Sequence, residues 1–216
     1  MEALQTNPIY RESRQNLVAL IHQIHAKGWS PATSTNYSFR NPEPYQHTYT
    51  ISSSGVDKSA FTDNHLMVVD STGSPIPEYE YLRPSAETLL HTQLYAQFPE
   101  VGAVLHTHSL AGTVLSQHYR FDRGFWLEDW EVLKGLRGIE THQTKVWLPV
   151  FQNSQDILQL SHKIAQYQPQ TKPFWGYLLA GHGLYAWGKN LAEAKRHLET
   201  FEFLMACKLA LMQIEK

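Results

Sequence analysis

The run Val101-Gly-Ala-Val-Leu-His-Thr-His-Ser109 constrains the fold more than any other stretch of this chain. Its apolar first half has the length and composition of a strand buried on both faces, yet it ends in two histidines one residue apart. In a strand, residues i and i+2 point to the same side. His106 and His108 therefore project together while Thr107 turns away, and the pattern predicts a sheet whose strand end opens on a site. Neutral imidazoles suit zinc or a similar divalent ion, and a catalytic centre of that kind takes three protein ligands and leaves a position open. The pair alone is equally compatible with hydrogen-bonded core histidines, so a third ligand must arrive from elsewhere. His182, in Gly181-His-Gly183, is the candidate, with glycines that allow the backbone to approach a metal closely. The remaining histidines show no comparable grouping.

The rest of the chain supplies a sheet and its covering helices. Residues 9–27 have helical spacing of Leu17, Leu20, Ile21 and Ile24, with Gly28 placed to end it. Residues 29–40 are turn-rich; 47–55 and 65–70 read as strands. A helix is expected over 85–97, with Ser85 as N-cap and Glu87 in its first turn. Another short helix follows the histidine strand. Residues 126–136 suit a helix, 145–150 a strand, 154–167 a helix, 174–188 two strands broken by the Gly-His-Gly turn, and 190–213 a long helix. With no repeat and no linker, this predicts one α/β domain over 1–216, a mixed sheet flanked by helices.

Composition excludes whole classes of function. The 216 residues carry a net charge of −2 and no basic block, which argues against nucleic acid or an anionic membrane as partner. No apolar run approaches the roughly 18 residues of a membrane span, and the first residues lack a signal-peptide layout. A single cysteine, Cys207, forms no intramolecular disulfide; a reducing, cytoplasmic setting is expected.

A divalent Lewis acid needs a proton carrier beside it, commonly a carboxylate. Glu87, after Arg83-Pro-Ser-Ala86, and Glu131, beside Trp130, are the two candidates. For Glu131 an aromatic, water-poor setting would raise the pKa toward neutrality; the plainer alternative is an exposed helix residue paired with Lys134. Ser52-Ser-Ser-Gly-Val-Asp-Lys-Ser59, the polar stretch 32–38 and Ser85 offer hydroxyls, a glycine turn and a lysine that together could receive a phosphate. Each would by itself be an ordinary solvated turn.

Taken in order, "ATSTNYS", "SSSGVDKS", "RPSAE", "VLHTHS", "EVLKG" and "LLAGHGLYAWG" resemble the class II aldolase/epimerase family of zinc sugar-phosphate enzymes, whose fold also forms the adducin head. The resemblance covers about residues 10–212. It implies a class II aldolase-like fold, one Zn2+ per subunit on His106, His108 and His182, a phosphorylated ketose as substrate, and a homotetramer with active sites near subunit interfaces. Thr35, Asn36, Ser54, Gly55, Lys58 and Ser85 match positions of the family's phosphate pocket, and Glu87 the acid/base of its aldolases. "WEVLKGL" and "GHGLYAWG" point to a dehydratase branch that acts in methionine salvage on a methylthio-substituted ketose 1-phosphate, with Glu131 as its acid/base and Phe125 and Trp126 as candidate contacts for the methylthio group. The alternatives are an aldolase or 4-epimerase for another sugar phosphate, of fuculose, rhamnulose or ribulose type, and a non-catalytic module that kept the fold. The family usually has glycine where this chain has Thr35, which makes the backbone angle at that residue a point to check.

Overall fold

A computed structural model describes residues 2–170 and 174–214; the expected single domain over 1–216 includes six residues outside these. Eight strands form one sheet in the order β3-β2-β1-β4-β8-β7-β6-β5. They are β1 (Tyr37–Arg40), β2 (Tyr49–Ser52), β3 (Leu66–Val69), β4 (Ala103–Thr107), β5 (Gly124–Glu128), β6 (Lys145–Phe151), β7 (Gly176–Leu179) and β8 (Gly183–Gly188). The β6–β7 pairing is parallel and the other pairings are antiparallel, so the sheet is mixed, as expected.

The short helix α1 (Glu2–Thr6) leads into α2 (Pro8–Ala26), whose start is set by two signals. Asn7 accepts hydrogen bonds from the amides of Ile9 and Tyr10, and Pro8 fills the first helical position, where a missing N–H costs nothing. Tyr10, Arg14, Leu17, Ile21 and Ile24 form its buried stripe. With α4 (Leu110–His118) and α6 (Leu191–Ile214), α2 covers one face of the sheet, while α3 (Thr88–Gln97) and α5 (Ile157–Ala165) pack together on the other. β4 and β8 lie at the centre and are buried throughout, so the histidine strand is held by partners on both sides.

Three expectations are corrected. Within the turn-rich stretch 29–40, Tyr37–Arg40 is strand β1: Tyr37 and Phe39 are buried toward the core, and Ser38 bonds into the opposite layer. The helix expected over 126–136 is instead strand β5 followed by a 3-10 turn, Glu131–Gly135. There the period-2 burial of Phe125 and Leu127 and the Trp126–Trp147 cross-strand pair, rings 5.1 Å apart, override helical propensity. Helix α3 begins at Thr88, not 85; Ser85 caps no helix, and its hydroxyl instead accepts the amide of Glu87.

Candidate metal centre and anion cleft

β4 delivers His106 from inside the sheet and His108 just past its end. The strand end is pinned by amide bonds from His106 to the carbonyl of Asn36 (3.0 Å) and from His108 to that of Trp29 (2.8 Å). Ser109 then caps α4 by accepting the amide of Gly112. The β7–β8 turn brings His182 across. Thr113 donates to its carbonyl, and Ser116 accepts the amide of Gly181, so α4 anchors the turn. The glycines permit this close approach of the turn to β4: Gly181 has φ +62°, and a Cβ on Gly183 would collide with the carbonyl oxygen of Thr107 and crowd the ring of His108.

The three side chains converge. Among the described residues they form the single group of three or more metal-capable side chains, their ligand atoms all within 4.8 Å of one another. Nε2 of His106 lies 2.7 Å from Nε2 of His108 and 3.3 Å from Nε2 of His182. Glu87 closes the group, with Oε1 3.0 Å from Nε2 of His182 and Oε2 3.6 Å from Nε2 of His106. His106 Nδ1 donates to the carbonyl of Leu184 at 2.9 Å, which leaves its Nε2 as a lone pair facing two further imidazoles and a carboxylate. Tyr185 stacks on that ring at 4.0 Å and fixes its plane.

Protonation favours a cation here. Burial drives His106 well below the ordinary histidine pKa and His108 down to about 4, so both imidazoles are neutral at pH 7. Burial would raise the Glu87 carboxyl, but hydrogen bonds from His182 and Asn36 outweigh it and hold it below the usual carboxylate range. The nitrogens of three converging imidazoles beside an anionic oxygen make a donor set that suits a divalent ion.

A cleft of about 240 Å³ opens over this group. Its wall joins Thr35, Asn36, Ser54, Gly55, Ser85 and Glu87 with His108 and His182. Segments far apart in the chain thus meet, and one cleft gathers the hydroxyls, the glycine turn and the metal-capable group. Thr35 has φ +75°, the left-handed region that glycine enters freely, and its hydroxyl bonds the Tyr37 hydroxyl at 2.7 Å. The Asn36 side chain turns inward to Ser85 and Glu87 (3.1 and 2.7 Å).

Four expected residues lie elsewhere. Lys58 is fully buried behind the cleft wall, its ammonium donating to the carbonyls of Thr33 and Val56, and burial brings its pKa down to about 8. It clamps two cleft loops together. Glu131 is exposed and pairs with Lys134 and, at 3.4 Å, His142. The water-poor setting expected to raise its pKa is absent: the hydrogen bond from Lys134 lowers it instead. Phe125 is in the core, and Trp126 lines a separate cleft with Trp130 and Lys208. Sequence reasoning overlooked His91, buried behind Asn36; its only signal is its place four residues after Glu87, one helical turn along.

With this geometry in view, the comparisons decide the family. The model of the class II aldolase and adducin N-terminal domain family matches residues 15–209. The chain belongs to this family. It is 48% identical over 203 residues to a methylthioribulose-1-phosphate dehydratase of Xanthomonas campestris pv. campestris, covering 94% of this chain and 91% of that protein. It is 44% identical over 201 residues to a protein of the same name from Picosynechococcus sp., covering 93% of each. Among solved structures, an aldolase II superfamily protein of Pseudomonas syringae superposes with a TM-score of 0.77 at 20% identity, covering 97% of this chain and 79% of that one. L-fuculose-1-phosphate aldolase of Thermus thermophilus superposes with a TM-score of 0.70 at 24% identity, covering 94% and 98%. The fold is that of the class II aldolases. No helix among the described residues is long and apolar enough to cross a membrane.

Proposed function

We propose that the protein dehydrates 5-methylthioribulose 1-phosphate to 2,3-diketo-5-methylthiopentyl 1-phosphate, as a zinc enzyme of methionine salvage in the cytoplasm. The observation that carries this reading is the convergence of His106, His108 and His182 with Glu87 at the foot of a hydroxyl-lined cleft. Relatives at 44–48% identity that bear the dehydratase name support the choice of reaction.

The three histidines would hold the ion, which when bound supplies Lewis-acid polarisation of the ketose carbonyl. The cleft hydroxyls of Thr35, Ser54 and Ser85 and the backbone at Gly55 receive the phosphate, with the buried charge of Lys58 behind them. The chemistry removes the proton from C3, expels the C4 hydroxyl as water with a returned proton, and leaves an enol that tautomerises to the diketone. Glu87, ionised and held at the histidine group, is placed to orient the substrate's hydroxyls. Glu131 carries the proton between C3 and the leaving hydroxyl from a neighbouring copy, since its own chain directs it outward. A homotetramer meets that need, and the apolar groove between α4 and α6, with Leu110 and Phe203 exposed at its rim, is a surface suited to another copy.

Incubation of zinc-loaded protein with methylthioribulose 1-phosphate is the test, with the diketone as readout. Turnover that falls by about a hundredfold or more in Glu131→Gln supports the reading. The position of Glu87 in the cleft is the observation that favours an aldolase or epimerase instead. Absence of dehydration together with retro-aldol cleavage or epimerisation of a sugar phosphate, lost in Glu87→Gln, would establish that alternative.

A further inference from the structure

Behind the cleft, a chain of hydrogen bonds runs from Glu87 into the core. Asn36 Nδ2 donates to Glu87 Oε2 at 2.7 Å and to Ser85 Oγ at 3.1 Å. Asn36 Oδ1 meets His91 Nε2 at 2.5 Å. His91 Nδ1 meets Ser38 Oγ at 2.8 Å, and Ser38 Oγ meets the Tyr95 hydroxyl at 2.7 Å. Glu87 stands at the N-cap of α3, and His91 and Tyr95 follow at four-residue spacing along the helix. His91 and Ser38 are buried, as is Tyr95, so no water can substitute for a missing partner.

The direction of every bond follows from its ends. A carboxylate only accepts, so the amide of Asn36 must present its NH2 group to Glu87. A flipped amide would set Oδ1 against the carboxylate. Both N–H groups of Asn36 are then used, and its Oδ1 requires a donor, which His91 Nε2–H supplies. His91 is fully buried, and burial lowers its pKa to about 3, so it is a neutral ring with a single N–H. Nδ1 is therefore the acceptor, Ser38 donates to it, and Tyr95 donates to Ser38. All protons in the chain point toward Glu87.

We propose that His91 is a positioning residue: by donating from Nε2 to Asn36 Oδ1 it fixes the orientation of that amide, and so aims a hydrogen bond that holds the Glu87 carboxylate at the metal centre. The inference rests on the reading in which Glu87 works at that centre. His91 donates to neither the histidine nitrogens nor the cleft; its hydrogen bond reaches Glu87 through Asn36, and its ring also packs edge-on against Tyr185, a contact that the phenyl ring of His91→Phe retains.

Two measurements test it. In the wild-type protein, 15N–1H NMR correlation of the imidazole is expected to show His91 as the neutral Nε2–H tautomer from about pH 6 to 8; an Nδ1–H tautomer or an imidazolium overturns the proposal whatever the substrate proves to be. In turnover of methylthioribulose 1-phosphate, His91→Phe removes the donor and is expected to lower kcat about ten- to a hundredfold, the worth of a hydrogen bond to a charged system, with KM and zinc content nearly unchanged. His91→Gln, whose amide can still donate to Asn36, is expected to recover most of that loss. Equal kcat in wild type and His91→Phe, or equal loss in the Phe and Gln variants, refutes the positioning role. A wild type that fails to turn over this substrate refutes the proposed function and leaves the tautomer measurement to decide the role of His91.

Discussion

The buried carboxyl of Glu202 makes the stability of this protein depend on pH in a direction opposite to that of most paired acids. Glu202 lies on α6 against the back of β4, where its Oε1 accepts from the Thr107 hydroxyl; its other oxygen has no well-formed hydrogen bond among the described residues. Burial raises its pKa from 4.5 to about 7, with the hydroxyls of Ser109 and Thr107 pulling it partly back. The folded protein thus binds this proton more tightly than the unfolded chain. Its contribution to stability is fully present below about pH 4.5 and is lost as pH rises through about 7. Between pH 5 and 8 the loss comes to about 2–3 kcal/mol, or about 5–10 °C in Tm for a domain of this size. In Glu202→Gln the amide keeps the acceptor for Thr107 and never ionises. Thermal unfolding of both proteins, at matched concentration and metal content, should agree within about 2 °C at pH 5, with the variant higher by about 5 °C or more at pH 8. Taking the difference between the two curves cancels every other titrating group. Parallel curves across this range, or a variant less stable at pH 8, would refute the claim that Glu202 is a protonated, buried acid.

Two further outcomes are expected. If each active site combines the histidines of one copy with Glu131 of another, His108→Ala and Glu131→Gln, each inactive alone, should regain roughly a quarter of wild-type activity when unfolded and refolded together; no recovery in mixed oligomers would return Glu131 to a role outside the site. At Thr35, where a β-branched residue is held at φ +75°, Thr35→Gly relieves about 1–2 kcal/mol of backbone strain and loses a hydrogen bond to Tyr37 of about the same net worth. Its Tm should stay within about 3 °C of wild type, whereas Thr35→Val keeps the strain, loses the bond and should melt lower than the glycine variant; since both variants lack the hydroxyl, the reverse order would show that the left-handed backbone angle carries no such strain.

Much of the site was legible because its signals are local. His106 and His108 announce themselves by a strand-like run and a spacing of two, and His182 by glycines at a turn. The left-handed backbone at Thr35 was flagged differently, only through the resemblance to a family that usually has glycine there. By contrast, β5 was misread as helix because Trp126 and its neighbours satisfy helical spacing until Trp147 pairs with them across strands. His91 looked like any other histidine, because its meaning depends on Asn36, which is 55 positions earlier in the chain.

By itself, then, the sequence determined which residue types were available for a metal and a phosphate, and the runs that had to become the central strands, because apolar periodicity and turn chemistry act over a few residues. Only the tertiary structure decided that Glu87 faces the histidines while Glu131 faces outward, that Lys58 clamps loops from behind the cleft, and that Glu202 is buried deeply enough to hold its proton. Those outcomes depend on desolvation and on partners brought together by the sheet order, and neither exists until β4 is enclosed between β1 and β8.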